Sequence, residues 1–163
     1  MENQKTLIYA AKPKDEIHET FCLNELKEEM KIYAEKELEK VGRSHVKVET
    51  FKDYYLEKFW VHTDRKLLRQ IFTILLDSAV KHTDRGCILF DFHITSISLV
   101  CKNVSFFIDD TGHGFYNEND PNYLIAQGLI QKLGGKMEVT SSEETGISVT
   151  FNIQCMPCEV SEN

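Results

Sequence analysis

Between Cys87 and Asp110 the chain runs CILFDFHITSISLVCKNVSFFIDD, a stretch dominated by β-branched and aromatic side chains. Such residues suit a pleated, half-buried surface better than a helix, so the stretch predicts two adjacent strands. Their reversal falls either near Thr95 or at Lys102-Asn103. A sheet built around them needs one face covered, and the flanking sequence supplies the covers. From Leu23 the apolar residues Leu23, Leu26, Met30, Tyr33, Leu38 and Val41 recur at helical spacing, Asn24 can cap the start, and Gly42 stops the run. The opposite face, with Glu25, Glu28, Glu29, Lys31, Glu35 and Lys36, reads as solvated. A second helix can be capped by Thr63 or Asp64. It carries Leu67, Ile71, Ile74, Leu75 and Ser78 along one stripe, Lys81 and His82 a turn further, and Gly86 at its end. A third helical period, YLIAQGLIQKL, precedes Gly134-Gly135. HVKVETF (45–51) alternates like a strand, and KMEVTSS and ISVTFNIQ flank EETG as a hairpin.

The resulting order is helix, strand, helix, strand, strand, helix, strand, strand. Helices segregated from a mixed, mostly antiparallel sheet of about five strands predict the α+β class, a two-layer α/β sandwich with three main helices. With 163 residues, 42% of them hydrophobic, the chain is sized for one compact unit with a real core. Residues 1–19, polar and without a sustained period, are expected to be a leader or linker stub, 20–154 the domain, and 155–163 a tail. No apolar run approaches a membrane span, and MENQKTLIYAAKPK lacks the features of a secretory signal, which predicts a cytoplasmic location. A formal net charge of −7 argues against a nucleic-acid surface, which relies on clustered cations. Five cysteines, an odd number, argue against a disulfide framework; Cys155 and Cys158 form a lone CxxC without a second pair to complete a zinc site.

The stretch FFIDDTGHGF (106–115) carries the chemistry. A carboxylate at Asp110, ending a buried strand, can accept a hydrogen bond from an exocyclic amine such as that of adenine. Gly112 and Gly114 would let backbone approach a ring or phosphate where a Cβ would collide. The plainer reading is a β-turn in which Asp110 bonds its own backbone.

Four stretches, in order, resemble the ATP-binding and catalytic domain of two-component sensor histidine kinases, of the Bergerat-type class shared with gyrase, Hsp90 and MutL. DRKLLRQIFTILLDSAVKHTDRG is similar to the N-box helix and FFIDDTGHGF to the first glycine box. LIAQGLIQKLGGKMEV is similar to the helix and strand after the lid, and EETGISVTFNI to the closing hairpin. The resemblance runs from about Glu19 to Ile153 and implies a nucleotide site drawn from Asp110, Gly112, Gly114, Lys81, Ser78 and Thr150, with ATP and magnesium as cofactors. It further implies a dimerisation and phosphoacceptor domain upstream or in another chain, a response regulator as a further partner, and a place in the cytoplasm, including the cytoplasmic part of a membrane-anchored sensor.

The sequence departs from that pattern at the phosphate end. Ser78 stands where the N box carries a magnesium-binding asparagine, and Ile74 where many relatives have another polar group. A hydroxyl is a shorter and weaker ligand than an amide carbonyl. Asp77 is rotated off the Ser78 face by about 100 degrees and is spaced to pair with Lys81. The second glycine box and its lid are replaced by NDPNYL, in which proline removes an amide. IHETFCL at His18 shares only two letters with a phosphoacceptor segment. The leading expectation is therefore a kinase-type domain with impaired magnesium and phosphate handling and little or no kinase activity alone. The alternative is a pseudokinase interaction module that binds no nucleotide. A third reading keeps activity, with Asp77 or Glu118 reaching the metal.

Overall fold

The computed structural model describes residues 18–51, 58–97 and 101–156. Ten elements follow in order: β1 (Glu19–Cys22), α1 (Leu23–Lys40), β2 (Lys47–Glu49), β3 (Trp60–Thr63), α2 (Arg65–His82), β4 (Cys87–Ile97), β5 (Lys102–Asp110), α3 (Pro121–Lys132), β6 (Met137–Ser142) and β7 (Gly146–Cys155). The main sheet has the order β2-β4-β5-β7-β6. β2 runs parallel to β4 and every other neighbour is antiparallel, as the expected mixed five-stranded sandwich requires.

The alternation that makes β5 and β7 strands also decides which side faces the helices. Val104, Phe106 and Ile108 of β5 and Ile147, Val149, Phe151 and Ile153 of β7 point into the core. Phe106 stacks on Phe151 with ring centroids 4.8 Å apart, and Phe72 of α2 meets both edge-on, at 5.4 and 5.6 Å. The core thus sits between α2 and the central strands, where aromatic rings adopt their favoured offset and T-shaped contacts.

Asp64, one of the two expected caps, starts α2 by accepting from Leu67 N at 2.9 Å. Asn24 does not cap α1: its Oδ1 accepts instead from Phe59 N at 2.9 Å and ties β3 to the helix start. The expected solvated face of α1 is also used, because Glu29 bridges Arg65 and Arg69 of α2, each at 2.6 Å. Lys27 is buried beneath the same helix, 3.4 Å from Asp91 of β4.

Between the two strands expected in the middle of the chain, the reversal falls between Ile97 and Lys102, which are register partners. The polar signals near Thr95 and Asn103 mark a register shift rather than the turn. Thr95 Oγ1 donates to Asn103 O at 3.1 Å, and Asn103 Nδ2 donates to Ser96 Oγ at 2.7 Å. A second, two-stranded sheet of β1 and β3 has no counterpart in the sequence reading. β7 runs on through Cys155, and Met156 pairs with His62. Of the CxxC pair, Cys158 lies outside the described residues, as do residues 1–17 of the expected leader.

Candidate functional site

The site forms where β5 ends against the C-terminus of α2. Asp110, the last residue of β5, is 5% exposed. Its Oδ1 accepts from Gly112 N at 2.9 Å and from Ile147 N, across on β7, at 3.3 Å. Among the described residues Oδ2 accepts no hydrogen bond. Burial raises the carboxyl above the ordinary carboxylate range, against the lowering effect of those two amides. The β-turn bond from Gly112 is therefore present, and it leaves one carboxylate oxygen unused.

The two glycines fit tightly against backbone. A Cβ on Gly112 would lie 2.2 Å from the carbonyl oxygen of His82, and one on Gly114, where φ is +71°, would lie 1.9 Å from that of Ser142. Both clashes are with main chain that cannot step aside. The loop is thus pressed between the end of α2 and the β6–β7 turn. His113 N donates to His82 O at 3.4 Å, and the two imidazoles meet edge to face at 5.0 Å. Burial, and then the neighbouring His113, hold His82 below the usual histidine range.

Ser78 is also buried, and its hydroxyl donates to the phenol oxygen of Tyr123 at 2.9 Å. Tyr123 lies in the first turn of α3, is 3% exposed, and packs edge-on against Tyr116 at 5.0 Å. Burial pushes its phenol up, so it is neutral. Helix α3 starts with Pro121 and is capped by Asp120, whose carboxylate accepts from Asn122 N at 2.9 Å. Tyr123 was absent from the expected set. The signal that could have exposed it is its place three residues after a capping aspartate, facing a serine at a polar break in an apolar stripe.

Asp110, Gly112, Gly114 and Ser78 thus gather around the end of α2, whereas the other two expected residues do not join them. Lys81 is exposed and lines a groove of about 260 Å³ with Glu37, Arg43 and Asp77, toward α1. Asp77 does not pair with it: Asp77 Oδ1 accepts from Tyr33 OH of α1 at 2.6 Å. Burial raises both groups, further supported for the phenol by its bond to Asp77. Thr150 is exposed and sits in β7 between the inward-facing Val149 and Phe151, which places it on the outer face of the sheet. On that outer face Ser148 Oγ donates to Asp109 Oδ1 at 2.5 Å, beside a cavity of about 270 Å³ at the β6–β7 turn. Among the described residues no group of three or more His, Cys, Asp or Glu side chains is placed to hold a metal.

Helices packed on a mixed, mostly antiparallel five-stranded sheet make a fold that solved proteins share. The chain is similar to the Acinetobacter baumannii histidine kinase AdeS, with a TM-score of 0.65 at 19% identity over 95% of this chain and 75% of that one. It is similar to full-length ShkA, solved in complex with AMPPNP, with a TM-score of 0.69 at 18% identity over 87% of this chain and 32% of that one. Against the mycobacterial sensor histidine kinase MprB the TM-score is 0.61 at 18% identity, over 87% of this chain and 100% of that one. The chain has the histidine-kinase ATPase fold. No protein-family model and no curated protein matches its sequence. Within this histidine-kinase ATPase fold, Asp110 lies at the end of β5, bonded to the glycine turn and β7, and Ser78 lies on α2, bonded to Tyr123 of α3.

The raised pKa of Asp110 predicts a pH-dependent contribution to stability. Because its folded pKa is raised, its contribution is fully present below the ordinary carboxylate pKa and is lost as pH rises through the raised value. The stability difference between the wild type and Asp110→Asn is therefore expected to move in favour of the wild type on acidification from neutral pH to below about 4. Urea melts of both proteins across that range measure it. A pH-independent difference would mean that the carboxyl is not desolvated.

Proposed function

We propose that this chain is the ATP-binding and catalytic-type domain of a two-component sensor histidine kinase, serving phosphorelay signalling from the cytoplasm, with weak nucleotide binding and little kinase activity alone. The unit that carries the function spans residues 20–154. The single observation that carries the reading is Asp110: a buried carboxylate at the end of a core strand, with Oδ1 fixed by two amides and Oδ2 unbonded among the described residues. Such a group accepts from an exocyclic amine and rejects a base that offers a carbonyl in the same place, because two buried acceptors would then face each other. The fold supports the rest, and the neighbour ShkA was solved with AMPPNP.

In such domains phosphoryl transfer is achieved by positioning the γ-phosphate and neutralising its charge with a metal. This chain's own residues contribute the base-recognising end: Asp110 accepts, Gly112 holds its orientation, and His82 and His113 close the side of the loop. The phosphoacceptor histidine then belongs to a dimerisation domain upstream or in another chain, and a response regulator follows it.

A second reading, a pseudokinase module that binds partners and no nucleotide, is favoured by the glycines, since the space a Cβ would fill at 112 and 114 is already taken by protein carbonyls. Thermal unfolding separates the two. A ligand at ten times its Kd stabilises by about 1.4 kcal/mol, enough to raise Tm by about 3–6 °C in a domain of this size. A rise of that order with ATP or ADP at millimolar concentration, reduced by Asp110→Asn, is expected. An unchanged Tm at saturating nucleotide would favour the interaction module.

A further inference from the structure

We propose that Asp110, at the end of β5, takes the base of an adenine nucleoside or its monophosphate without a metal, and that Tyr123 sets this preference; the proposal rests on the adenine reading above. The metal and triphosphate that the fold implies do not fit the residues present. Ser78, at the N-box ligand position, spends its hydroxyl on Tyr123 at 2.9 Å, and both side chains are buried. A magnesium ion demands near-octahedral oxygen ligands and keeps several waters, so it would have to break this bond and displace the phenol ring. Tyr116 packs edge-on against that ring at 5.0 Å.

The anion end is occupied in the same way. The amides at a helix N-terminus attract phosphate, but at α3 Pro121 has no amide proton and the Asp120 carboxylate already accepts from Asn122 N. Asp120 and Glu118 also lie close enough to Tyr116 to raise its phenol, behind the burial that raises it most. A triphosphate entering here would meet two carboxylates and two aromatic rings. An uncharged nucleoside meets no such repulsion, and the exocyclic amine of adenine supplies the donor that Asp110 Oδ2 lacks. The chemistry that discriminates is therefore charge and metal at one end, with base recognition retained at the other.

Calorimetric titration of the whole chain with adenosine, AMP, ADP and ATP, each with and without magnesium, tests this. Adenosine and AMP are expected to bind at least as tightly as ATP, and magnesium to change no affinity by more than about twofold. Asp110→Asn is expected to weaken adenosine by about tenfold or more, since a hydrogen bond to a buried charged group is lost. The double variant Tyr123→Ala with Ser78→Asn is expected to gain about tenfold for magnesium-ATP. Should that variant fail to fold, the wild-type ligand series decides alone. Magnesium-ATP binding about tenfold more tightly than adenosine to the wild type would overturn the proposal while leaving the adenine reading intact. Absence of binding by every adenine ligand to folded protein would overturn both.

Discussion

Asp91→Ala is expected to lower the unfolding free energy by about 3–5 kcal/mol, because it removes a counter-charge within 3.4 Å of a buried lysine. Lys27 and Asp91 have side chains only 3% and 6% exposed and approach to 3.4 Å. The carboxylate also accepts from Phe51 N at 2.7 Å and Phe92 N at 2.8 Å, while the ammonium donates to Phe51 O at 3.2 Å. One pair thus joins α1 and β4 to the segment that follows β2. Truncating the aspartate leaves the ammonium without this carboxylate and leaves two part-buried amides, Phe51 N and Phe92 N, without this acceptor, and the costs add. Lys27→Met combined with Asp91→Leu is expected to recover most of the loss, since neither charge of this pair then remains to be desolvated. Urea denaturation of the three variants measures this. A loss below about 1 kcal/mol for Asp91→Ala would mean that water reaches the pair.

Phe106→Ala is expected to cost about 3–5 kcal/mol, the range for removing a buried aromatic ring from a core that cannot collapse around the space. The ring is 1% exposed, stacks on Phe151, and takes the edge of Phe72. Its neighbours are held by three elements, α2, β5 and β7, so relaxation into the vacated volume is hindered. Phe107→Ala, one residue along β5 on the outer face, is expected to cost about 1 kcal/mol, since that ring touches Phe51 at 5.8 Å and is half-buried. Equal losses for the two would contradict the assignment of the sheet faces.

What could be read from the sequence was what repeats over a long enough window. Three helical periods and the apolar runs of β4 and β5 each span many residues, and together they fixed the layers. The β1–β3 ribbon was missed because strands of four residues show too little alternation to stand out, and β1 passes directly into α1 at Leu23. Local rules failed where a distant partner outbid a near one. Asn24 serves Phe59, and Asp77 serves Tyr33 of α1 rather than Lys81 one turn away. Lys27, in a helix rich in exposed charges, gave no sign that its counter-ion lies 64 residues further on.

The site divided along the same line. Asp110 and its glycines were legible because carboxylate and turn are adjacent in the chain. Thr150 was drawn into the set by its hairpin, but strand alternation turns it outward and gives the inner position to Val149. Tyr123 reaches Ser78 from 45 residues away, a pairing that no spacing rule within α2 or α3 encodes.

The contact between the glycine loop and the β6–β7 hairpin has a mechanical consequence. A Cβ on Gly146, where φ is +86°, would lie 2.0 Å from Asp110 O, and the next residue donates its amide to the Asp110 side chain. The hairpin is thus one of the two supports of the aspartate: its Ile147 amide and the Gly112 amide of the turn together set which way the Asp110 carboxylate is aimed.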